Sequence, residues 1–284
     1  MYREYYALGG VRLCLCGEEP WQNSPMCDPF RAQPGSAAHI IYVSFRDVIP
    51  DPPQNAVQHA CLWRWREGGR LCLMQRYDRR YSSFALRDGD RTQLYFSPEY
   101  RRTLSARVIL ESAGLFDLLA GFGMLILHSS YIMTQQGEGI LFSGPSGAGK
   151  STQAALWERF AGARIVNGDR ALVHPEARTV HGIFYAGTSG ICLQESAPLR
   201  AIVLPVQAQE NRVSLPAKRA AFAALINQCA YYPWAEDSTS RMTELAAQLV
   251  SNVPVYRLEC RKDEGAVAAL LEELRRSDYG IQQR

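Results

Sequence analysis

Up to about position 107, apolar residues come in short runs separated by turn formers, the pattern of a small β domain. His39-Ile40-Ile41-Tyr42-Val43, Cys61-Leu62-Trp63-Arg64-Trp65, Arg70-Leu71-Cys72-Leu73-Met74 and Gln93-Leu94-Tyr95-Phe96 read as strands. Pro50-Asp51-Pro52-Pro53, Glu67-Gly68-Gly69 and Asp88-Gly89-Asp90 read as turns. Gly68-Gly69 between two apolar runs predicts a hairpin. The expectation is a β-rich, largely antiparallel domain over residues 1–107, with no catalytic set in it.

The pattern changes beyond that point. Val108, Leu110, Leu115, Leu118 and Leu119 form an apolar face at three- and four-residue steps, which predicts a helix over 105–119 that stops at Gly121 and Gly123. Apolar runs at 124–132 and 139–142 follow, with only the short polar segment 133–138 between them. A parallel crossover needs about a dozen residues or more, so these two strands must pair antiparallel. Further strands are expected at 163–166 and 199–204, an antiparallel pair at 170–174 and 179–183, and a strand at 255–258. Helices are expected at 152–160, 218–228, 240–250 and 265–276, giving an α/β domain over 108–284 with a mixed, partly antiparallel sheet.

Between the strand at 139–142 and the helix that follows lies Gly144-Pro145-Ser146-Gly147-Ala148-Gly149-Lys150-Ser151. It fills every fixed position of G-x-x-x-x-G-K-[ST], the phosphate-binding P-loop. Glycines let successive backbone N–H groups turn inward around phosphate oxygens. Lys150 would supply a point charge to the β- and γ-phosphates, and the Ser151 hydroxyl would reach Mg²⁺. Thr152 opens the helix, whose N-terminal dipole favours anions. The ligand so predicted is ATP, or another nucleoside triphosphate, with Mg²⁺.

Composition narrows this little. The 284 residues allow one large domain or two modest ones, and 47% hydrophobic with 21% charged residues is ordinary for a globular protein. A formal net charge of +3 is too small to imply a nucleic-acid or membrane partner. Eight arginines between Arg76 and Arg107 (76, 79, 80, 87, 91, 101, 102, 107) face Asp78, Asp88, Asp90 and Glu99. A solvated, partly self-paired surface is the expectation there, with a docking face for an acidic peptide or protein as the alternative. The eight cysteines show no C-x-x-C pair and no zinc-type spacing with histidine. The N-terminus has no signal-peptide pattern. The most apolar stretch, 113–127, carries Asp117 and is too short for a bilayer, so a cytoplasmic location is expected.

Phosphoryl transfer needs a group to steer the acceptor hydroxyl and positive charge for the transition state. Asp169 lies eighteen residues past Ser151, at the end of an apolar strand. A metal-binding role for it stands beside a plainer one as a turn residue in Asn167-Gly168-Asp169. His128 in an apolar strand is either a satisfied core residue or, because its strand neighbours the loop strand, a group near the γ-phosphate or acceptor. Tyr185-Ala186-Gly187-Thr188-Ser189-Gly190 is a second glycine- and hydroxyl-rich turn, either a plain loop or a wall of the pocket. His174 and His181 carry no signature.

The order of His128, a hairpin, the loop ending at Ser151 and the acidic turn at Asp169 resembles the HPr serine kinase/phosphorylase family, with its phosphoenolpyruvate carboxykinase-type fold. The resemblance spans roughly 125–204 and implies a phosphotransferase. By position it assigns His128 to the family histidine, Lys150 and Ser151 to nucleotide and magnesium, and Asp169 to the second of two adjacent aspartates. Gly168 stands where the first aspartate would be, and Thr152 where a glutamate would follow the loop. The family's second, glycine-rich signature is also missing. These departures make the chain similar to the divergent serine-kinase-like branch rather than to the regulator of carbohydrate metabolism. The expectation is therefore an ATP/Mg²⁺-dependent kinase acting on a serine of a peptide or protein, with a homo-oligomer left open. A nucleotide-binding module with little turnover and a small-metabolite kinase are the alternatives.

Overall fold

The computed structural model describes residues 1–78 and 80–282, so Arg79 of the arginine cluster lies outside the described residues. The fold is α/β with mixed sheets, and the chain divides into two compact units. The first comprises residues 1–122 and 231–241. The second comprises 123–230 and resumes at Met242.

In the first unit, β1 (Tyr2–Leu8), β2 (Val11–Gly17), β3 (His39–Phe45), β4 (Val57–His59), β5 (Leu62–Glu67), β6 (Arg70–Arg76), β7 (Ser82–Asp88) and β8 (Arg91–Phe96) form one sheet, ordered β1-β2-β3-β8-β7-β6-β5-β4. All neighbours are antiparallel except β2–β3 and β3–β8, which run parallel. The expected hairpin joins β5 to β6, turning at Gly68 and Gly69 with φ of 56° and 82°. β1 and β7 escape an aliphatic pattern search because buried positions on them carry polar groups: Glu4 and Tyr6 on β1, Ser82 and Ser83 on β7. Glu4 is buried on β1, where it accepts hydrogen bonds from Tyr2 Oη (2.6 Å), Tyr6 Oη (2.6 Å) and Trp21 Nε1 (2.7 Å). A buried carboxylate is tolerated only with such partners.

The helix expected over 105–119 is two: α1 (Ala106–Ser112), capped by Ser105, and α2 (Leu115–Gly121). Gly114 between them takes the left-handed conformation, φ 74°, which ends the first helix. The first unit therefore runs past residue 107, and it also takes in 231–241. The latter segment is held by polar and aromatic contacts that no periodicity reveals. Buried Arg64 pairs with Asp117 on α2 and with Asp237 at 2.7 Å. Ser238 Oγ donates to Asp117 Oδ1 (2.8 Å), and Trp234 stacks on His59 at 5.8 Å between ring centroids. The clustered arginines find partners mostly outside their own segment: Arg76 with Asp51, Arg101 with Glu19 and Arg107 with Glu111.

The second unit contains β9 (Leu125–Met133), β10 (Gly139–Ser143), α3 (Lys150–Ala161), β11 (Arg164–Asn167), β12 (Arg170–His174), β13 (Thr179–His181), β14 (Ser196–Gln207), β15 (Arg212–Ser214), α4 (Lys218–Ile226), α5 (Glu236–Asn252), β16 (Val255–Cys260) and α6 (Glu264–Gln282), the first residues of α5 lying in the first unit. The sheet order is β10-β9-β12-β13-β14-β16-β15, with β11 beside β9, and long β14 also pairs with β10. β9 and β10 are antiparallel, as their short connection requires. β10, β14 and β16 run parallel, so Ser143, Gln207 and Cys260 finish at the same edge. Against this trio pack Trp157 and Ala154 of α3 and Val267 and Leu270 of α6, with Phe142, Val203 and Leu258 beneath. Among the described residues no helix is long and apolar enough to cross a membrane.

Candidate active site

The glycine-rich loop leaves β10 and runs straight into α3. Gly144, Gly147 and Gly149 hold φ of 148°, 79° and 103°, a backbone path that a side chain at these positions would strain. Lys150 is buried, and its Nζ donates to the carbonyls of Gly144 (2.8 Å) and Pro145 (3.0 Å). The ammonium is thus folded over the loop. Burial pulls its pKa below the ordinary lysine value, against the opposing pull of Asp169.

His128 owes its place to the end of β10. Ser143, the last residue of β10, pairs with Ser129, so His128 is the next position along β9, beside the start of the loop. Its backbone is held on both sides: Ser143 Oγ donates to its carbonyl (2.9 Å), and its N–H donates to Gln228 O (2.8 Å). Across the sheet it pairs with Arg170. Its Nδ1 lies 3.5 Å from Asp169 Oδ1, while Arg170 Nε lies 3.5 Å from Asp169 Oδ2. Burial lowers the His128 pKa, and Lys150 and Arg170 lower it further, with Asp169 opposing. The imidazole is therefore held neutral near pH 7.

Asp169 sits at a break in the strand beside β9, between β11 and β12. The turn residue there is Asn167, not Asp169. Asn167 Oδ1 accepts from the N–H groups of Asp169 and Arg170, both at 2.9 Å, which leaves the Asp169 carboxylate for His128, Arg170 and the cavity. Asn167 Nδ2 in turn donates to Ile183 O (2.6 Å) and ties the turn to the chain after β13.

Gly168, the departure from the resembled pattern, has a packing cause. A Cβ at this position would run into Ser189 Oγ and lie 2.6 Å from Ser189 Cβ. The segment Gly187–Ser189 forms one helical turn that lies over Gly168 and Asp169, and a Cβ on Gly187 would come 2.7 Å from Asp169 Cγ. The second glycine-rich turn is thus a wall of the site rather than a distant loop.

These parts line one cavity of about 340 Å³. Loop residues Ser146, Gly147, Ala148, Gly149, Lys150, Ser151 and Thr152 form one side, with His128, Gly168, Asp169, Thr188 and Ser189 lining it as well. Gly144 and Pro145 are not on its surface; they lie behind it as acceptors for Lys150. Sequence reading missed Gln207, Arg261 and Lys262, which reach the same cavity from the ends of β14 and β16. Their signal was topological: strands parallel to β10 end beside it, and the carboxyl edge of parallel strands is where such sheets bind ligands. Gln207 Nε2 donates to Gly147 O (3.1 Å) and braces the loop.

No family model matches the chain, and no curated protein matches it. Among solved structures the chain is similar to the Hpr(Ser) kinase/phosphatase from Coxiella burnetii, at 14% identity and a TM-score of 0.29, over 56% of this chain and 92% of that one. A likeness of that size carries no argument about function, which rests on the site's own residues.

Proposed function

We propose that the chain is an ATP- and Mg²⁺-dependent kinase that transfers the γ-phosphoryl group to a hydroxyl, a serine of a peptide or protein. The observation that carries this reading is convergence. Loop residues 146–151 of a complete P-loop pattern, Lys150 among them, face one cavity with His128 and Asp169 at the carboxyl edge of three parallel strands. Loop amides and Lys150 bind the phosphates, and Lys150 leaves its two loop carbonyls to do so. Asp169 orients the acceptor hydroxyl and takes its proton, with neutral His128 beside it at 3.5 Å.

The residues present fit magnesium. Ser151 Oγ and Asp169 are oxygen donors on the same cavity. Among the described residues no cluster of three or more His, Cys, Asp or Glu could hold a metal. Mg²⁺ commonly takes one or two protein ligands and fills its shell with phosphate oxygens and water, so the sparse donor set suits it. When bound, it would neutralise phosphate charge.

Incubation with γ-labelled ATP, Mg²⁺ and serine-containing peptides tests the proposal. Transfer is expected, with Lys150→Ala lowering it by roughly 100-fold or more, as loss of a preorganised charge does. No transfer to any acceptor under any divalent metal would overturn it. Gly168 favours a second reading, a nucleotide-binding module with little turnover, because one carboxylate of the resembled pair is missing. Tight ATP binding without transfer, unchanged in Asp169→Asn, would select that reading.

A further inference from the structure

The turn over Asp169 carries a hydroxyl that the site does not otherwise use. Thr188 is exposed and lines the cavity together with the loop, His128 and Asp169. Its two neighbours fix where it stands: Gly187 abuts the Asp169 carboxylate, and Ser189 packs against Gly168. Glycines with φ of 55° and 69°, at 187 and 190, hold the turn in this shape. The two hydroxyls of the turn are not equivalent. Ser189 Oγ donates to Ala186 O (2.7 Å) and accepts from the Ile191 N–H (3.2 Å), so it closes the turn. Among the described residues the Thr188 hydroxyl has no hydrogen-bond partner.

We infer that Thr188 is a phosphoryl acceptor within its own chain. The inference rests on the kinase reading above, and ATP is the co-reactant. Thr188 Oγ bonds to the γ-phosphorus, the bond from that phosphorus to the β–γ bridging oxygen breaks, and ADP leaves with the electron pair. The hydroxyl proton passes to the Asp169 carboxylate. Because acceptor and P-loop face one cavity, the transfer is intramolecular. The phosphothreonine adds a charge of about −2 beside Asp169, within reach of the positive potential of Lys150 and Arg170. It then fills the acceptor position, so labelling stops at one phosphate per chain.

The test uses the full chain with Mg²⁺ and γ-labelled ATP, first without an acceptor and then with serine-containing peptides. Intact mass, phosphosite mapping and ADP release are the readouts. The expected result is one added phosphate mapped to Thr188 in the wild-type protein, at a rate per molecule unchanged by tenfold dilution. It is lost in Thr188→Ala and in Asp169→Asn. ADP release or peptide phosphorylation with no phosphate on Thr188 would overturn the inference and leave the kinase reading standing. So would a phosphate mapped to another residue, or a labelling rate that falls with dilution. No ADP release and no transfer to any acceptor would remove the kinase reading, and this inference with it.

Discussion

Gly168 shows how a single residue can be plain in the sequence and yet explained only by its neighbours. Its identity and its place before Asp169 are legible, and so is its departure from the resembled pair of aspartates. The reason is Ser189, twenty-one positions later, whose side chain occupies the space a Cβ would need. The φ of Gly168 is not in the left-handed region, so the cost of substitution is steric. Gly168→Ala is expected to lose about 1–3 kcal/mol by overpacking. Ser189→Gly in the same chain should recover most of that loss, a coupling that urea unfolding of the four variants measures. Asp169 was legible by position but its partner was not. The Asx acceptor is Asn167, and which of the two polar residues flanking Gly168 caps the turn depends on backbone geometry that composition does not encode. Nucleotide binding provides a second check at this scale. Because the Lys150 ammonium now bonds two loop carbonyls, Lys150→Met should weaken ATP binding at least tenfold in calorimetry while the apo fold persists.

Elements were most legible where connection length constrained them. The gap at 133–138 forces β9 and β10 antiparallel whatever else the chain does, and this places His128 beside the loop. Periodicity did worse where a break is set by one backbone angle. The apolar face over 105–119 continues through α1 and α2, but Gly114 turns the chain between them. A Cβ on Gly114 would meet Leu73 Cδ1 and lie 3.2 Å from Arg87 Nη2, in addition to the strain of φ 74°. Gly114→Ala should therefore destabilise the protein by about 1–3 kcal/mol, read as a lower denaturant midpoint. Strands β1 and β7 were missed for the opposite reason. Their buried faces use Glu4, Tyr6, Ser82 and Ser83, which a search for aliphatic alternation passes over.

For the molecule as a whole, stability should respond to acid through one histidine in each unit, buried His39 and half-buried His181. Burial, with Arg87 adding and Asp90 opposing, pushes His39 down to about 4 in the first unit. In the second, burial, with His174 adding, pushes His181 down to about 4. Between about pH 6.5 and 4 the unfolded chain binds protons there that the folded one does not. Stability is thus full above pH 6.5, falls as pH drops through that window, and levels below about 4 as far as these groups are concerned. His39 is 1% exposed, and its share is on the order of 3 kcal/mol once the window is crossed. Urea midpoints measured across pH should show this slope, and His39→Gln should flatten its part of it.

Alone, the sequence determined the glycine-rich loop and the ligand class it leads one to expect, the antiparallel hairpin and the β-rich character of the first hundred residues. Each follows from local constraints: a loop whose glycines and lysine are adjacent in the chain, a connection too short to cross over, and turn formers between apolar runs. The tertiary structure alone decided that residues 231–241 belong with the first unit and that Gln207, Arg261 and Lys262 share the cavity of the loop. It also decided that the turn bearing Thr188 lies against Gly168 and Asp169 and lines the same cavity. All of these join positions far apart in sequence, brought together by strand order and by buried polar contacts whose partners no local pattern names.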